Sequence, residues 1–312
     1  MSAIIIRLSS NGMRKIRRCN MDKEQIAIER LKTASEMSLA VYEQPLVITT
    51  SGGKDSGVLV RLAEASGIPF EVRHSHTTAD APETVRFVRQ ELYRLEQKGI
   101  KCTISYPIYK GGRVSMWTLI PQKMMPPTRL MRYCCSVLKE QSGANRFIAT
   151  GVRWAESTKR QSRGIYENIT NNIKKRVILN NDNDDTRKLF ENCQLKAQRV
   201  VNPIIDWTDD EVWDYTKTEK IPCNPLYCEF KRVGCIGCPM AGKSRYREFA
   251  RYPQYQKMYI RAFDRMLEER NRRGKTQLSW QTGRDVFHWW MEDGILPGQI
   301  EFDDLLQEDE LT

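Results

Sequence analysis

Short β-branched runs alternate with amphipathic segments along the first half of the chain. The runs that predict buried strands lie at residues 45–50, 70–74, 102–105 and 146–151. The helices predicted around them lie at residues 22–40, 57–65 and 82–98. Strands that alternate with helices form parallel sheets with helices on both faces. The pattern therefore predicts an α/β fold built on a doubly wound parallel sheet.

The pattern changes near residue 240. From 241 to 312 the chain is rich in Arg and aromatic residues, with mostly helical spacing, which predicts a helical C-terminal region. Residues 1–20 place an apolar patch before a basic cluster, the reverse of a secretory signal. We therefore expect a flexible basic extension at 1–20, a main domain at 21–240 and a cytoplasmic protein with no membrane span.

A glycine-containing loop joins the first predicted strand to the next predicted helix. Residues 51–56 read Ser-Gly-Gly-Lys-Asp-Ser. Two glycines allow a tight turn and a close approach to a ligand. The helix that follows presents N–H groups and its positive dipole end. Lys54 adds a cation, and Ser51 and Ser56 add hydroxyls, so the loop predicts a phosphate site. The spacing is not that of the Walker loop, and the alternative is a plain capped turn.

Arginines follow the strand predicted at 146–151. Gly151 and Arg153 come directly after its end, where ligands bind in parallel sheets. A planar guanidinium suits phosphate or sulfate, so Arg153 is predicted to bind an anion. Arg160 and Arg163 lie just beyond. They are candidates for substrate binding, with a solvated basic helix face as the equal alternative.

Four of the nine cysteines fall in two tight groups. Cys134 and Cys135 are adjacent on a predicted helix, and Cys235 and Cys238 form a C-x-x-C turn. An odd number of cysteines without an export signal argues against structural disulfides. Two thiolate pairs suit either zinc or a 4Fe–4S cluster. Adjacent cysteines are unusual at structural zinc, which favours 4Fe–4S. Cys228 is an alternative ligand.

These motifs resemble, in order, those of one family. The strand–SGGKDS–helix string is similar to the signature of PP-loop proteins, the adenine nucleotide α-hydrolase type. Segments 76–84, 150–157 and 202–208, with the cysteines, resemble the phosphoadenylyl-sulfate (PAPS) reductase family. The adjacent pair with a distant C-x-x-C resembles its iron–sulfur branch, which contains adenylylsulfate reductases and DNA phosphorothioation enzymes.

The resemblance implies an enzyme that binds ATP or a related adenine nucleotide with Mg²⁺ and cleaves at the α-phosphate. The catalytic residues it implies are Lys54, Asp55 and Arg153, and either Asp55 or Asp80 would help to place the metal. The nucleotide-binding residues it implies are Ser51, Gly52, Gly53, Lys54, Asp55, Ser56, Thr78, Asp80, Gly151 and Arg153. The cluster would manage sulfur or electrons. The implied partners are a nucleic-acid substrate and a sulfur donor or thioredoxin-like reductant.

One feature departs from the reductase pattern. The reductases carry a C-terminal cysteine that attacks the sulfonucleotide, and this sequence has no cysteine after Cys238. A sulfonucleotide reductase that forms sulfite is therefore the second hypothesis. The net charge of +11 suits polyanions, although Lys and Arg are spread along the sequence. A nucleic-acid-binding protein without turnover is the third hypothesis. Residues 261–273 are candidates for its surface, whereas the aromatic stripe at 287–290 predicts core.

Overall fold

The chain divides into two compact units. The computed structural model describes residues 10–139, 146–169, 177–179, 198–275 and 280–292. Unit 1 comprises Met1–Ser75, Pro82–Ser105 and Ser142–Val233. Unit 2 comprises His76–Ala81, Tyr106–Gln141 and Gly234–Thr312.

The described strands are β1 (Leu46–Thr50), β2 (Phe70–Ser75), β3 (Cys102–Ser105), β4 (Ile108–Tyr109), β5 (Gly112–Arg113), β6 (Phe147–Ala149), β7 (Tyr166–Ile169), β8 (Val177–Leu179) and β9 (Gln198–Val201). The described α-helices are α1 (Ser10–Tyr42), α2 (Lys54–Ser66), α3 (Pro82–Glu96), α4 (Met116–Lys123), α5 (Tyr133–Leu138), α6 (Thr158–Gln161), α7 (Asp209–Thr218), α8 (Ser244–Arg251), α9 (Pro253–Arg272) and α10 (Gly283–Met291).

Unit 1 is built on a seven-stranded sheet in the order β3-β2-β1-β6-β9-β7-β8. The first five strands are parallel, and the register sets Ile48 beside both Val72 and Ala149. These residues belong to a core that also contains Leu31 of α1 and Leu59 of α2. The predicted α/β class with a parallel sheet is confirmed. Strands β7 and β8 add an antiparallel edge that the polar sequence around them did not predict.

The ends of the predicted regions differ from the described ones. Helix α1 begins at Ser10, so residues 10–20 are helical, and residues 1–9 lie outside the described part. The cluster of basic residues at 14–18 hides the helical pattern in the sequence. The change of unit at 233–234 lies near the predicted boundary at 240, but unit 2 also takes in two earlier segments. No described helix is long and apolar enough to cross a membrane.

Unit 2 contains the β4–β5 hairpin, α4 and α5, and the three C-terminal helices. The stretch at 106–128 looks irregular in sequence, but Ser115 and Thr118 form a capping box that starts α4. Tyr259 and Trp290 lie at the centre of an aromatic core, with ring centroids 4.8 Å apart. Within the stripe at 287–290, Phe287 and Trp290 are core, whereas Trp289, expected as core, is half-buried beside Trp280 and His288 is exposed.

Candidate functional site

The loop between β1 and α2 is held in one shape by its own residues. Gly52 has φ of 75°, and a Cβ there would lie 2.7 Å from Val88 Cγ2, so glycine is required. Ser56 Oγ donates to the carbonyl of Gly53 over 2.8 Å and accepts from the backbone N–H of Ser51 over 3.2 Å. The loop is therefore preformed at the N-terminus of α2, which is where an anion binds.

Two further residues, which were not predicted from the sequence, hold this loop through hydrogen bonds. The Tyr227 hydroxyl accepts the backbone N–H of Lys54 over 2.9 Å. Buried Asn224 donates through Nδ2 to the carbonyl of Gly52 over 3.2 Å and to Thr84 Oγ1 over 3.0 Å. The Asn-Pro pair at 224–225 is a turn signal, but nothing in the sequence places it beside the loop.

Two cations and two carboxylates form a network at the start of α2. Lys54 Nζ donates to Asp55 Oδ1 over 3.1 Å and to Asp209 Oδ1 over 2.8 Å. Arg153 donates to the same two oxygens, over 2.6 Å in each case. Its third nitrogen donates to the carbonyl of Trp207 over 3.2 Å. The network joins the loop to the strand end after β6 and to the first turn of α7.

The network changes the role expected of Arg153. Its side chain is only 2% exposed, and Asp55, Asp209 and a carbonyl use its three nitrogens. In this arrangement it positions the two carboxylates. The sequence missed Asp209, although a carboxylate in a helical first turn just after a strand-end segment is a usable signal. Hydrogen bonds from Lys54 and Arg153 lower the pKa of Asp209.

Gly151 lies where its sequence position predicts, and the two later arginines have structural partners. A Cβ on Gly151 would lie 3.0 Å from the backbone of Asp55, so the strand end packs against the loop helix. Arg160 pairs with Glu156, and Arg163 pairs with fully buried Glu167. The ion pair of Arg163 with a buried carboxylate helps to hold unit 1 together. Substrate binding by Arg160 and Arg163 stays a prediction.

A cavity of about 270 Å³ opens beside the loop. Its lining includes Gly53 and Lys54 of the loop and the apolar side chains of Phe87 and Ile221. Sites that enclose a drug-sized ligand are somewhat larger, about 300–1,000 Å³. The cavity is therefore large enough for part of a nucleotide next to the phosphate loop.

The four paired cysteines all belong to unit 2. Cys134 and Cys135 lie on α5, and Cys235 and Cys238 lie in a turn. Gly237, with φ of 71°, makes this turn possible, because a Cβ there would lie 2.6 Å from Phe249 Cζ. The Gly237 N–H donates to Glu248 Oε2 over 2.7 Å. The C-x-x-C turn is therefore fixed by its glycine and by α8.

The thiols of α5 influence one another and the C-x-x-C pair. The hydrogen bond between them raises the pKa of Cys134, which Cys235 and Cys238 raise further. The same hydrogen bond, with Lys139 and Arg132, lowers the pKa of Cys135 to about 5. Arg132 donates to Cys135 Sγ over 3.3 Å. A cluster held by four thiolates is anionic, and these two cations are placed to offset that charge.

The spacing of the sulfurs bears on the choice of metal. In the described part of the chain, no three of them lie within 4.8 Å of one another. Sulfurs around one zinc ion lie about 3.8 Å apart, because Zn–S bonds of about 2.3 Å are arranged tetrahedrally. The described thiols therefore do not form a closed zinc site as they stand. Cys228 is exposed and belongs to unit 1, whereas the other four share unit 2.

Thr78 and Asp80 also belong to unit 2, and both have structural partners there. Thr78 Oγ1 accepts the backbone N–H of Met116 over 2.8 Å. The backbone of Asp80 pairs with that of Cys235, and its carbonyl accepts the Tyr255 hydroxyl over 2.6 Å. These contacts support the cysteine turn. Nucleotide binding by Thr78 and Asp80 stays a prediction.

Comparison with models of protein families identifies the family of this chain. The model of the phosphoadenosine phosphosulfate reductase domain matches residues 45–241. The chain belongs to this family. The match covers the phosphate loop, Arg153, Asp209 and both cysteine pairs. The predicted family is therefore confirmed.

Individual relatives of this reductase-domain protein are distant. It is 27% identical over 200 residues to sulfate adenylyltransferase subunit 2 of Rhizobium tropici, which covers 62% of this chain and 60% of that protein. It is 26% identical over 113 residues to adenosine 5′-phosphosulfate reductase of Burkholderia cepacia, with coverages of 36% and 38%. The solved PAPS reductase of Candida auris, a phosphate complex, is 18% identical at a TM-score of 0.43, covering 74% of this chain and 97% of that one. The chain thus spans 60% or less of the two curated relatives.

Proposed function

We propose that this protein binds ATP at residues 51–56 and cleaves the bond between its α- and β-phosphates, releasing pyrophosphate. The observation that carries the proposal is the preformed loop at the N-terminus of α2, with Gly52 at positive φ and Lys54 beside it. A helix N-terminus of this kind binds phosphate without further reorganisation. The adjoining cavity gives the rest of the nucleotide a place beside the loop.

The charged network supplies what cleavage at the α-phosphate needs. Charge that is fixed in place before the reaction stabilises developing negative charge best. Arg153 fixes Asp55 and Asp209, and Lys54 lies between the same carboxylates. Because the Asp209 side chain is 65% exposed, Lys54 can exchange it for phosphate oxygens when a nucleotide binds. Arg153 is then a positioning residue, and Lys54 contacts the substrate.

Asp55 and Asp209 also fit the Mg²⁺ that accompanies a nucleotide. Mg²⁺ prefers carboxylate and phosphate oxygens. Both carboxylates face the loop, and Arg153 orients them through a single oxygen each. We therefore assign the metal to Asp55 and Asp209, and not to Asp80.

The cysteines of unit 2 would hold a 4Fe–4S cluster. Four thiols in one unit, two nearby cations and a turn fixed by Gly237 support this assignment. When bound, the cluster would supply iron that holds sulfur or passes electrons. Arg132 and Lys139 would balance its charge. The complete proposal is an ATP-dependent sulfur-transfer enzyme.

A sulfonucleotide reductase is the second candidate. The likeness to a protein named adenosine 5′-phosphosulfate reductase favours it. Its substrate would use the same loop, since both nucleotides present an α-phosphate. The two candidates differ in their product, which is pyrophosphate from ATP or sulfite from adenylyl sulfate.

Turnover by anaerobically purified protein tests the proposal. AMP and pyrophosphate formed from Mg·ATP support it, and sulfite formed from adenylyl sulfate with a dithiol supports the second candidate instead. The Asp55→Asn variant is expected to lose turnover at least tenfold. The matched variant Asp210→Asn, which changes an exposed carboxylate next to Asp209, is expected to keep it. ADP and phosphate as the products, or equal rates for both variants, would contradict the proposal.

A further inference from the structure

The described residues of unit 2 carry a surplus of positive charge. These residues, 76–81, 106–139, 234–275 and 280–292, contain 18 Lys and Arg against 7 Asp and Glu, a net charge of +11. Seven further Asp and Glu of this unit lie between residues 293 and 312, outside the described part, so the basic surplus belongs to the described segments and not to the unit as a whole. A basic surface poor in carboxylates is the electrostatic footprint of a polyanion-binding site.

Between residues 106 and 139 no carboxylate offsets the positive charge. This segment contains six Lys and Arg and no Asp or Glu. It forms the β4–β5 hairpin, α4 and α5. Because this segment contributes no carboxylate that would repel phosphate groups, a polymer of phosphates can lie along it.

The hairpin carries stacked cations and aromatic rings. The Arg113 guanidinium lies 3.8 Å from the ring centroid of Tyr106. The Tyr106 residue is 42% exposed, and Arg113 is exposed. The edge of His76 meets the same ring at a centroid distance of 5.5 Å. The guanidinium thus lies over the tyrosine ring and remains open to solvent.

A second cation–aromatic contact joins Tyr109 of β4 to Lys123 of α4. Lys123 Nζ lies 4.3 Å from the ring centroid of Tyr109 and donates to its hydroxyl over 3.1 Å. Lys110 approaches the same ring at 5.7 Å, and Lys123 also faces Tyr133 at 5.8 Å. Four such contacts thus fall between residues 106 and 133. We call Tyr106, Tyr109, Lys110, Arg113 and Lys123 the hairpin surface.

We propose that the hairpin surface binds single-stranded nucleic acid. Phosphates would pair with Lys110, Arg113 and Lys123. Bases would stack on the Tyr106–Arg113 pair, because aromatic rings and guanidinium planes are the surfaces on which unpaired bases stack. A duplex keeps its bases stacked inside and could use only the cations. The inference goes beyond the proposed ATP chemistry, since binding here needs no α-phosphate cleavage.

An acidic protein is the other class of partner that a basic surface attracts. Its carboxylates would pair with the three cations but would gain nothing from an open Tyr–Arg stack. The exposed stack therefore favours nucleic acid. The contribution of the Tyr106 ring to affinity, measured separately from that of the charges, therefore distinguishes a nucleic acid from an acidic protein.

Fluorescence anisotropy with a labelled 20-nucleotide oligo(dT), its RNA equivalent and a duplex of equal length tests the proposal on the full chain. We expect the single strands to bind at 50 mM salt and to be released as salt rises. The double variant Lys110→Ala/Arg113→Ala should bind about tenfold more weakly, with a salt slope lower by about 1.4. The double variant Lys98→Ala/Lys101→Ala removes two exposed charges from unit 1 and should change affinity less than twofold.

Tyr106 separates stacking from charge. Tyr106→Ala should weaken single-strand binding about tenfold with an unchanged salt slope, and Tyr106→Phe should restore it. No binding by the wild type would overturn the proposal. So would tighter binding of the duplex, or displacement by polyglutamate together with no effect of Tyr106→Ala, which would indicate an acidic-protein surface. ATP binding, measured on the same samples, should be equal in all variants. Its absence with oligonucleotide binding retained would count against the proposed function alone.

Discussion

The hydroxyl of Tyr227 accepts the backbone N–H of Lys54 over 2.9 Å. The bond satisfies one of the N–H groups that the first turn of a helix leaves without an internal partner. Tyr227 lies 173 residues away in sequence, so a distant segment caps the helix of the phosphate loop. The shape of the loop therefore depends on the turn at 224–228 as well as on its own glycines.

Tyr227→Phe should lower the free energy of unfolding by about 1–2 kcal/mol, because it leaves the Lys54 N–H without its acceptor. The ring, which packs on Trp213 with centroids 5.2 Å apart, is kept. Urea denaturation measures the change. Tyr93→Phe alters an exposed tyrosine of the same unit and should stay within about 0.5 kcal/mol of the wild type. Equal stability of the two variants would show that the cap contributes nothing.

Gly52→Ala should be more damaging than Gly67→Ala. Both residues have positive φ, 75° and 70°, so both substitutions introduce the same backbone strain of about 1 kcal/mol. Only at Gly52 would the new Cβ also meet a side chain, Val88, at 2.7 Å, whereas nothing lies within 4 Å at Gly67. We expect Gly52→Ala to lose about 2–4 kcal/mol in denaturation and to weaken ATP binding. A loss no larger than that of Gly67→Ala would mean that the loop has room to move.

More of the fold than of the candidate site could be predicted from the sequence. The strands at 45–50, 70–74 and 102–105 are short segments that contain β-branched or aromatic residues and alternate with amphipathic helices, so local pattern identifies them. Strand β9 has no such run beside it, and its pairing with β6 and β7 is set by contacts far apart in the chain. The phosphate loop could be identified from the sequence because its residues are consecutive. Asp209 and Tyr227 could not be assigned to the site from the sequence, because only the fold brings them to Lys54.

Protonation of Asp209 should weaken the fold at low pH. Its hydrogen bonds from Lys54 and Arg153 lower its pKa in the folded state. A carboxyl with a lowered pKa contributes stability above its unfolded pKa of about 3.9, and loses that contribution as pH falls through its folded pKa. Asp209→Asn should therefore be less stable than the wild type at pH 7, with the gap narrowing below about pH 4.

Urea midpoints at pH 7, 5 and 3.5 measure this gap. Asp210→Asn, at the neighbouring exposed position, should give a small gap at every pH. A gap for Asp209→Asn that is constant from pH 7 to pH 3.5 would show that its ion pairs with Lys54 and Arg153 do not stabilise the folded state.

Substitution of single cysteines should identify the cluster ligands. Anaerobically purified wild type is expected to contain about four iron and four sulfide per chain. Cys135→Ser should lose most of this iron, because Cys135 is the thiol most readily ionised on α5. Cys228→Ser should retain it, because Cys228 is exposed in unit 1. The reverse result would make Cys228 a ligand, and one zinc with no iron would exclude the cluster.

Equilibrium binding of Mg·ATP tests the central claim most directly. Isothermal titration of the wild type should give one site per chain. Lys54→Met should weaken binding at least tenfold, because it removes the cation at the loop. Lys101→Met removes an exposed lysine of the same unit and should bind as the wild type does. Failure of the wild type to bind Mg·ATP, or equal binding by the two variants, would contradict the assignment of residues 51–56 as the nucleotide site.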